Sequence, residues 1–281
     1  MADRITVKRI MMLFRIMAKM DLVWFLRDTK YAVLCILGIV VNNLAVVSGV
    51  FLIAARFGGI GGMNADEVLF MMAYSSMVTG IFTIFGSGNN IHISRIIGRG
   101  QLEHFFIQPL PLGVQLATSG FAPFSAGGNL VVGIAMMAYA VGRMNLHVTV
   151  GWGLSLVAYL LTTMAIIIAR AYIFSSLAFY APVAAEEIST TVIEGTWFLS
   201  TFPLSGIPAF IQFPLVTILP EGLMAWFPSL CLLGRPPLDL TAYYPMAFAL
   251  LSSLAATYIF RKGLKHYVTK GSNRYVPYGL R

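Results

Sequence analysis

Long apolar runs alternate with short polar breaks along nearly the whole chain. They extend from about Tyr31 to Ala54, Val68 to Phe85, Phe121 to Val141, Trp152 to Tyr180, Phe202 to Leu219 and Tyr243 to Phe260. A bilayer core about 30 Å thick needs roughly 20 apolar residues in a helix, so each run predicts one crossing. The fourth run is long enough to project beyond the bilayer. The fifth carries Pro203, Pro208 and Pro214, which predicts a kinked or broken helix whose freed carbonyls are taken up by neighbouring groups. In the first run the strongly polar side chains are Asn42 and Asn43, placed to bond across to another helix. Ser76 with Gly80, and Ala165 with Ala169, form small-residue pairs that permit close helix contact.

The breaks have character of their own. Ahead of the first run, Ile10, Phe14, Met17 and Trp24 recur at helical spacing with Lys8, Arg15 and Lys19 between them, which predicts a basic amphipathic helix lying in the membrane interface. The turn FGGIGGMNADE holds four glycines before Asn64 to Glu67, a helix start. It lacks the lysine and Ser/Thr of a phosphate-binding loop. Ala181 to Thr196 is more polar, with Glu186, Glu187 and Glu194. From Pro220 to Asp239 the chain is apolar but interrupted, and EGLMAWFPSLCLLG predicts a short hairpin dipping back into the outer leaflet.

Composition agrees with this pattern: 58% of residues are hydrophobic and 11% charged, and the mean hydropathy of +0.80 exceeds what a soluble domain carries. The chain reads as an all-α integral membrane protein. Its net charge of +8 concentrates next to the apolar runs, where Lys and Arg set topology rather than bind nucleic acid. With the N-terminus inside, the cytoplasmic side holds fifteen of them: Arg4, Lys8, Arg9, Arg15, Lys19, Arg27, Lys30, Arg95, Arg99, Arg261, Lys262, Lys265, Lys270, Arg274 and Arg281. The outer side holds Arg56, Arg143 and Arg235. Positive loops stay in the cytoplasm, so six crossings with both ends inside is the predicted topology, multi-pass in the cytoplasmic membrane. Residues 1–30 form the interfacial helix, 31–260 the six-helix domain and 261–281 a basic cytoplasmic tail. Trp24, Trp152, Trp197 and Trp226 fall near predicted span ends, as in an aromatic belt. Cys35 and Cys231 make no disulfide framework or CxxC pair, and no cleaved signal peptide is evident.

Candidate chemistry is sparse. No Asp or Glu lies within a predicted span, so ion-coupled transport lacks its usual carrier. HExxH, GxSxG and metal-ligand spacings are absent, and His92, His104, His147 and His266 stand singly near span ends. Arg170, inside the fourth run, is a candidate intramembrane contact or a snorkelling side chain. The least membrane-like stretch is Ile91 to Leu112, IHISRIIGRGQLEHFFIQPLPL. On a helix Arg95, Arg99 and Glu103 share one face and Glu103 can pair with Arg99. Lacking a nucleotide motif of its own, an active transporter built this way needs energy from another chain.

The run IIGRGQLEHFFIQPLPLGVQL resembles the signature between the second and third helices of ABC-2 permeases, in the six-helix subgroup of ABC transporter membrane subunits. GGMNADEVLFMMAYSSMVTGIF ahead of it, FPLSGIPAFIQFPLVTILPEGLMAWFPSLCLLG behind it and the tail RKGLKHYVTKGS are similar to the same subgroup, in the same order. Gln108 stands where arginine is common, and Phe105 and Phe106 where aliphatics are. The resemblance implies an exporter permease without a catalytic or cofactor site of its own. It implies two separate ATPase subunits carrying ATP and Mg, and a second permease, identical or homologous. It also implies a cytoplasmic coupling helix between helices 2 and 3, with Arg95, Arg99, Glu103, His104, Gln108 and Pro109 at or bracing the ATPase contact. An outer re-entrant hairpin is implied between helices 5 and 6, over Pro220 to Leu233. An ATP-independent secondary transporter or channel, and a structural subunit of a membrane complex, are the alternatives.

Overall fold

The computed structural model describes residues 7–86, 93–118, 120–199, 201–237 and 240–271. Arg4, Ile91, His92, Arg274 and Arg281, with the side chain of Trp197, lie outside the described residues. Among those described, the chain is built from α-helices and short 3-10 turns, with one isolated bridge between Ile60 and Met63.

Helix α1 (Val7–Arg27) is amphipathic, and Asp28 separates it from α2 (Thr29–Phe57) by accepting the Tyr31 N–H at 3.0 Å. Gly58 ends α2 in the left-handed region, which a residue without Cβ adopts without strain. Helix α3 (Ala65–Gly86) opens on a reciprocal capping box: Asn64 Oδ1 accepts the Glu67 N–H, and Glu67 Oε2 accepts the Asn64 N–H, both at 2.9 Å. Then come the short helices α4 (Ile93–Gly98), α5 (Leu102–Phe106) and α6 (Leu112–Thr118).

Helix α7 (Gly128–Arg143) starts seven residues later than the apolar run predicts. Asp21 accounts for this locally. Its carboxylate takes the backbone N–H groups of Phe124 and Ser125 and the Ser125 hydroxyl, holding Phe121 to Gly127 as a turn on α1. Helix α8 (Val150–Ser175) is capped by Thr149, whose Oγ1 accepts the Trp152 N–H, and continues as a 3-10 turn over Ser176–Phe179.

Pro182–Leu199, read above as a polar connection, is an 18-residue helix, α9. The proline-studded stretch after it is broken, as expected, into a 3-10 turn (Leu204–Gly206) and the single turns α10 (Ala209–Gln212) and α11 (Pro214–Thr217). A second 3-10 turn (Pro220–Leu223) leads to α12 (Trp226–Leu232), bent by 73° from α10–α11. Helix α13 (Tyr244–Lys270) runs ten residues past the last apolar run.

Helices α2, α3 and α8 with its extension are long and apolar enough to cross a membrane, and the bent pair makes a fourth if taken as one span. Their burial differs greatly. The apolar window of α3 is 72% buried and that of α2 only 6%, so α3 is the axis and α2 lies at the periphery. Against α3 packs α7, very closely: a Cβ added to Gly80 would lie 2.2 Å from Leu130 N, and one on Gly133 2.6 Å from Met77 N. The expected close contact at Gly80 is therefore present, with α7 as the partner. Trp226 departs from the aromatic-belt expectation. It is 2% exposed, and its Nε1–H donates to Ser205 Oγ at 2.7 Å inside the hairpin.

The bundle has two distinct ends. At the loop end, Gly61 meets Gly206, Arg143 pairs with Asp66 at 2.9 Å and Arg235 with Glu67. At the other, basic end, α4, α5 and the final turns of α8 and α13 come together with Arg95, Arg261 and Lys265. Because α8 finishes at the basic end and Gly206 sits at the loop end, α9 carries the chain between them, over about 27 Å at helical rise.

Candidate functional site

At the basic end the island between α3 and α7 folds into a helical hairpin. The single helix that would put Arg95, Arg99 and Glu103 on one face does not form. Gly100 adopts φ +67, and the N–H groups of Gly100 and Gln101 turn back to Ile97 O and Ile96 O at 3.0 and 2.9 Å. Two glycines within three residues make this reversal inexpensive, and the register between α4 and α5 is lost.

Each arm is anchored separately. On α4, Arg95 Nε donates to Glu186 Oε1 of α9 at 2.8 Å, and the Ser94 and Ser189 hydroxyls share a hydrogen bond at 2.8 Å. On α5, Leu102 is buried, and Gln115 Nε2 donates to Phe105 O at 2.8 Å and Leu110 O at 2.6 Å. That one carboxamide clamps both sides of the proline-bounded turn. Arg99, His104, Gln108 and Pro109 are exposed around the tip, with Glu103 half-buried. Phe106 is exposed as well, and Ile107 is 81% exposed.

Beneath the hairpin lies a second hydrophobic core, separate from the main one. Ile93, Ile96, Ile97 and Leu102 meet Phe179 after α8, Ala185 of α9 and Tyr267 of α13. Rings of Phe260 and Phe179 stack edge-on at 5.4 Å, and those of Phe179 and Tyr267 at 5.8 Å. Gly263 allows this, since a Cβ there would fall 2.3 Å from Phe179 Cδ2. The hairpin is thus packed on the ends of three long helices at once.

A second polar constellation lies in the interior. Arg170 Nη2 is 2.5 Å from Glu221 Oε1, with the two side chains 9% and 3% exposed. Thr163 Oγ1 donates to Leu223 O at 3.4 Å and bonds the Tyr74 hydroxyl at 2.9 Å. Arg170 therefore ties α8 to the base of the bent hairpin instead of snorkelling, and a carboxylate does enter the apolar interior, through a connection outside the apolar runs. Between α8 and α13 a cleft of about 420 Å³ is lined by Ala165, Ala169, Tyr172, Thr257, Phe260 and Arg261, so the Ala165–Ala169 pair faces this space.

Asn43 does reach across to another helix: its Nδ2 donates to Asn129 Oδ1 of α7 at 2.8 Å and to Ile39 O at 2.9 Å, while Ser76 Oγ donates to Asn43 Oδ1 at 3.3 Å. Asn42 lines the space beside it. The sequence shows Glu186 only as one carboxylate of a polar stretch, and Ser189, Gln115, Glu221 and Asn129 carry no mark in it as site residues. Each acts on a partner reached through the fold, four of the five across more than 50 positions, where no local spacing marks it.

Apolar helices of membrane length, assembled around interior hydrogen bonds and a buried ion pair, define a multi-pass helical membrane protein. Residues 31–271 match the family model described as ABC-2 family transporter protein. The chain belongs to that family and is the membrane permease of an ABC transporter. No curated protein and no solved structure matches it.

Proposed function

We propose that the protein is the permease of an ATP-driven exporter, working as one of two permeases powered by two separate ATPase subunits that hold ATP and Mg. The observation that carries this reading is the α4–α5 hairpin, with an exposed tip on one side and a core shared with α8, α9 and α13 on the other.

The charge asymmetry supports an orientation with the basic end and both termini in the cytoplasm. The six crossings are then α2, α3, α7, α8, α9 and α13, with α10 to α12 as a re-entrant element from the outer side. On this assignment α9 takes the place of the proline-rich run as the fifth crossing, and Glu186 and Glu187 sit at its cytoplasmic start.

Phe106, Ile107, Gln108 and Pro109 form the surface that meets the ATPase, flanked by Arg99 and His104. Burying Ile107 against a partner contributes about 1.5–3 kcal/mol. The opposite face, through Ile93, Ile96, Ile97 and Leu102, transmits displacement to the helix ends. A hairpin that binds two ATPase states with different affinity shifts the bundle between two packings, and substrate passes at the interface between permeases.

The test uses the permease co-purified with its ATPase from native membranes. Ile107→Asp and Phe106→Ala together abolish co-purification and ATP-driven transport in vesicles while the permease keeps its melting temperature. The Arg99→Ala/Glu103→Ala pair separates contact from bracing. Transport by the purified permease without ATP or ATPase would overturn the reading in favour of a secondary transporter. ATPase capture without any transport would favour a structural subunit.

A further inference from the structure

Between α2, α3 and α7 lies a partly open cavity of about 230 Å³, lined by the polar side chains of Asn42, Asn43, Ser75, Ser76, Thr79, Asn129 and Thr201 and by the apolar ones of Val46, Val47 and Met72. Asn43 stands at the midpoint of the 29-residue α2, so this polar lining is far from either end of that helix.

Part of it serves the scaffold. The Asn43–Asn129 and Ser76–Asn43 bonds join three helices, a known use of polar side chains in membranes. That role leaves the rest unexplained. Thr79 donates to Ser75 O within its own helix at 2.9 Å, so its oxygen keeps acceptor capacity directed at the cavity. Asn42 and the carboxamide NH2 of Asn129 add donors.

Chemistry and size together narrow the occupant. Among the described residues no ionisable side chain lines the cavity, so a formal charge would enter without a counter-ion, at a high desolvation cost. Amide and hydroxyl groups instead match a neutral ligand rich in hydroxyls or amides. The volume is below the roughly 300–1,000 Å³ of pockets that engulf a drug-sized molecule, which fits a headgroup and not a whole amphiphile. Val40, Val41 and Leu44 of α2 are exposed alongside and offer an apolar track for the tail.

We propose that this cavity binds the uncharged, hydroxyl- or amide-bearing headgroup of an amphiphile whose tail lies along α2. That this amphiphile class is also the cargo rests on the permease reading; the site itself does not.

Binding is measured on the full chain in lipid nanodiscs with radiolabelled decyl glucoside, decyl sulfate and decyltrimethylammonium, against empty nanodiscs. The glucoside binds saturably and at least about tenfold more tightly than either charged amphiphile. Thr79→Val and Asn42→Leu each weaken it by about tenfold, the loss of one hydrogen bond's worth of affinity, without altering the melting temperature. Asn43→Leu lowers both binding and melting temperature.

Equal binding of the three amphiphiles, absence of saturable glucoside binding, or wild-type affinity in the Asn42→Leu/Thr79→Val double variant would overturn the site. ATP-driven transport by the permease–ATPase complex is read separately. Glucoside binding without transport leaves the site and removes the cargo role, whereas transport without glucoside binding removes the site and leaves the permease.

Discussion

Arg170 on α8 holds Glu221 at the base of the bent hairpin through Nη2 and Oε1, 2.5 Å apart and almost wholly shielded. Removing one partner strands the other charge in the interior. Glu221→Met and Arg170→Met should each destabilise the purified protein by about 3–5 kcal/mol, whereas the Arg170→Met/Glu221→Met pair loses less than either single change. Thermal unfolding of the four proteins closes the cycle. Additive losses in the double variant would mean that the two charges are not coupled.

Helix α3 meets α7 through glycine at two points, and a methyl group has no room at either. Gly80→Ala and Gly133→Ala should each cost about 1–3 kcal/mol and lower the melting temperature. Gly38→Ala on the peripheral α2, where nothing lies within 4 Å of the added carbon, should be neutral or stabilising by up to about 1 kcal/mol. The contrast separates packing from helix propensity, which favours alanine at all three positions.

The Arg95–Glu186 pair is partly exposed, with side chains 41% and 27% accessible, so its stability effect should stay within about 1 kcal/mol. Its expected role is transmission between α4 and α9. Arg95→Glu or Glu186→Arg should uncouple ATP hydrolysis from transport by the permease–ATPase complex, and the Arg95→Glu/Glu186→Arg exchange should restore it. Normal coupling in both single variants would remove the pair from the pathway.

Gln115 serves Phe105 O and Leu110 O with one amide nitrogen. Gln115→Leu should leave the bundle folded but raise hydrogen exchange over residues 102–111 by about tenfold, the equivalent of one lost hydrogen bond. Unchanged exchange there would show that the turn is held by its prolines and by Leu102 alone.

Much of this protein is legible in one dimension. The start of α3 follows from Asn64 beside a long apolar run, because capping and hydropathy are local properties. The island from Arg95 to Pro109 stands out for the same reason. Its resemblance to ABC-2 permeases matches the family to which residues 31–271 belong. What misled the linear reading was competition from distant groups. Asp21 delays α7 by capturing Phe124 and Ser125 across more than a hundred residues, and Gly100 cuts a helix that charge spacing alone would extend.

By itself, then, the sequence determined an all-helical membrane protein of the ABC-2 family with a polar, proline-terminated segment between its second and third predicted crossings. Both depend on composition and short-range periodicity, which burial in lipid imposes on any such chain. Only the tertiary structure decided that Arg95 faces Glu186, that Arg170 is paired with Glu221, that α9 links the two ends, and that Asn43 and Asn129 border a polar cavity. The side-chain pairings among them join residues 51 to 91 positions apart, the two interior ones selected by the need to satisfy buried charges and amides, and no local pattern encodes them.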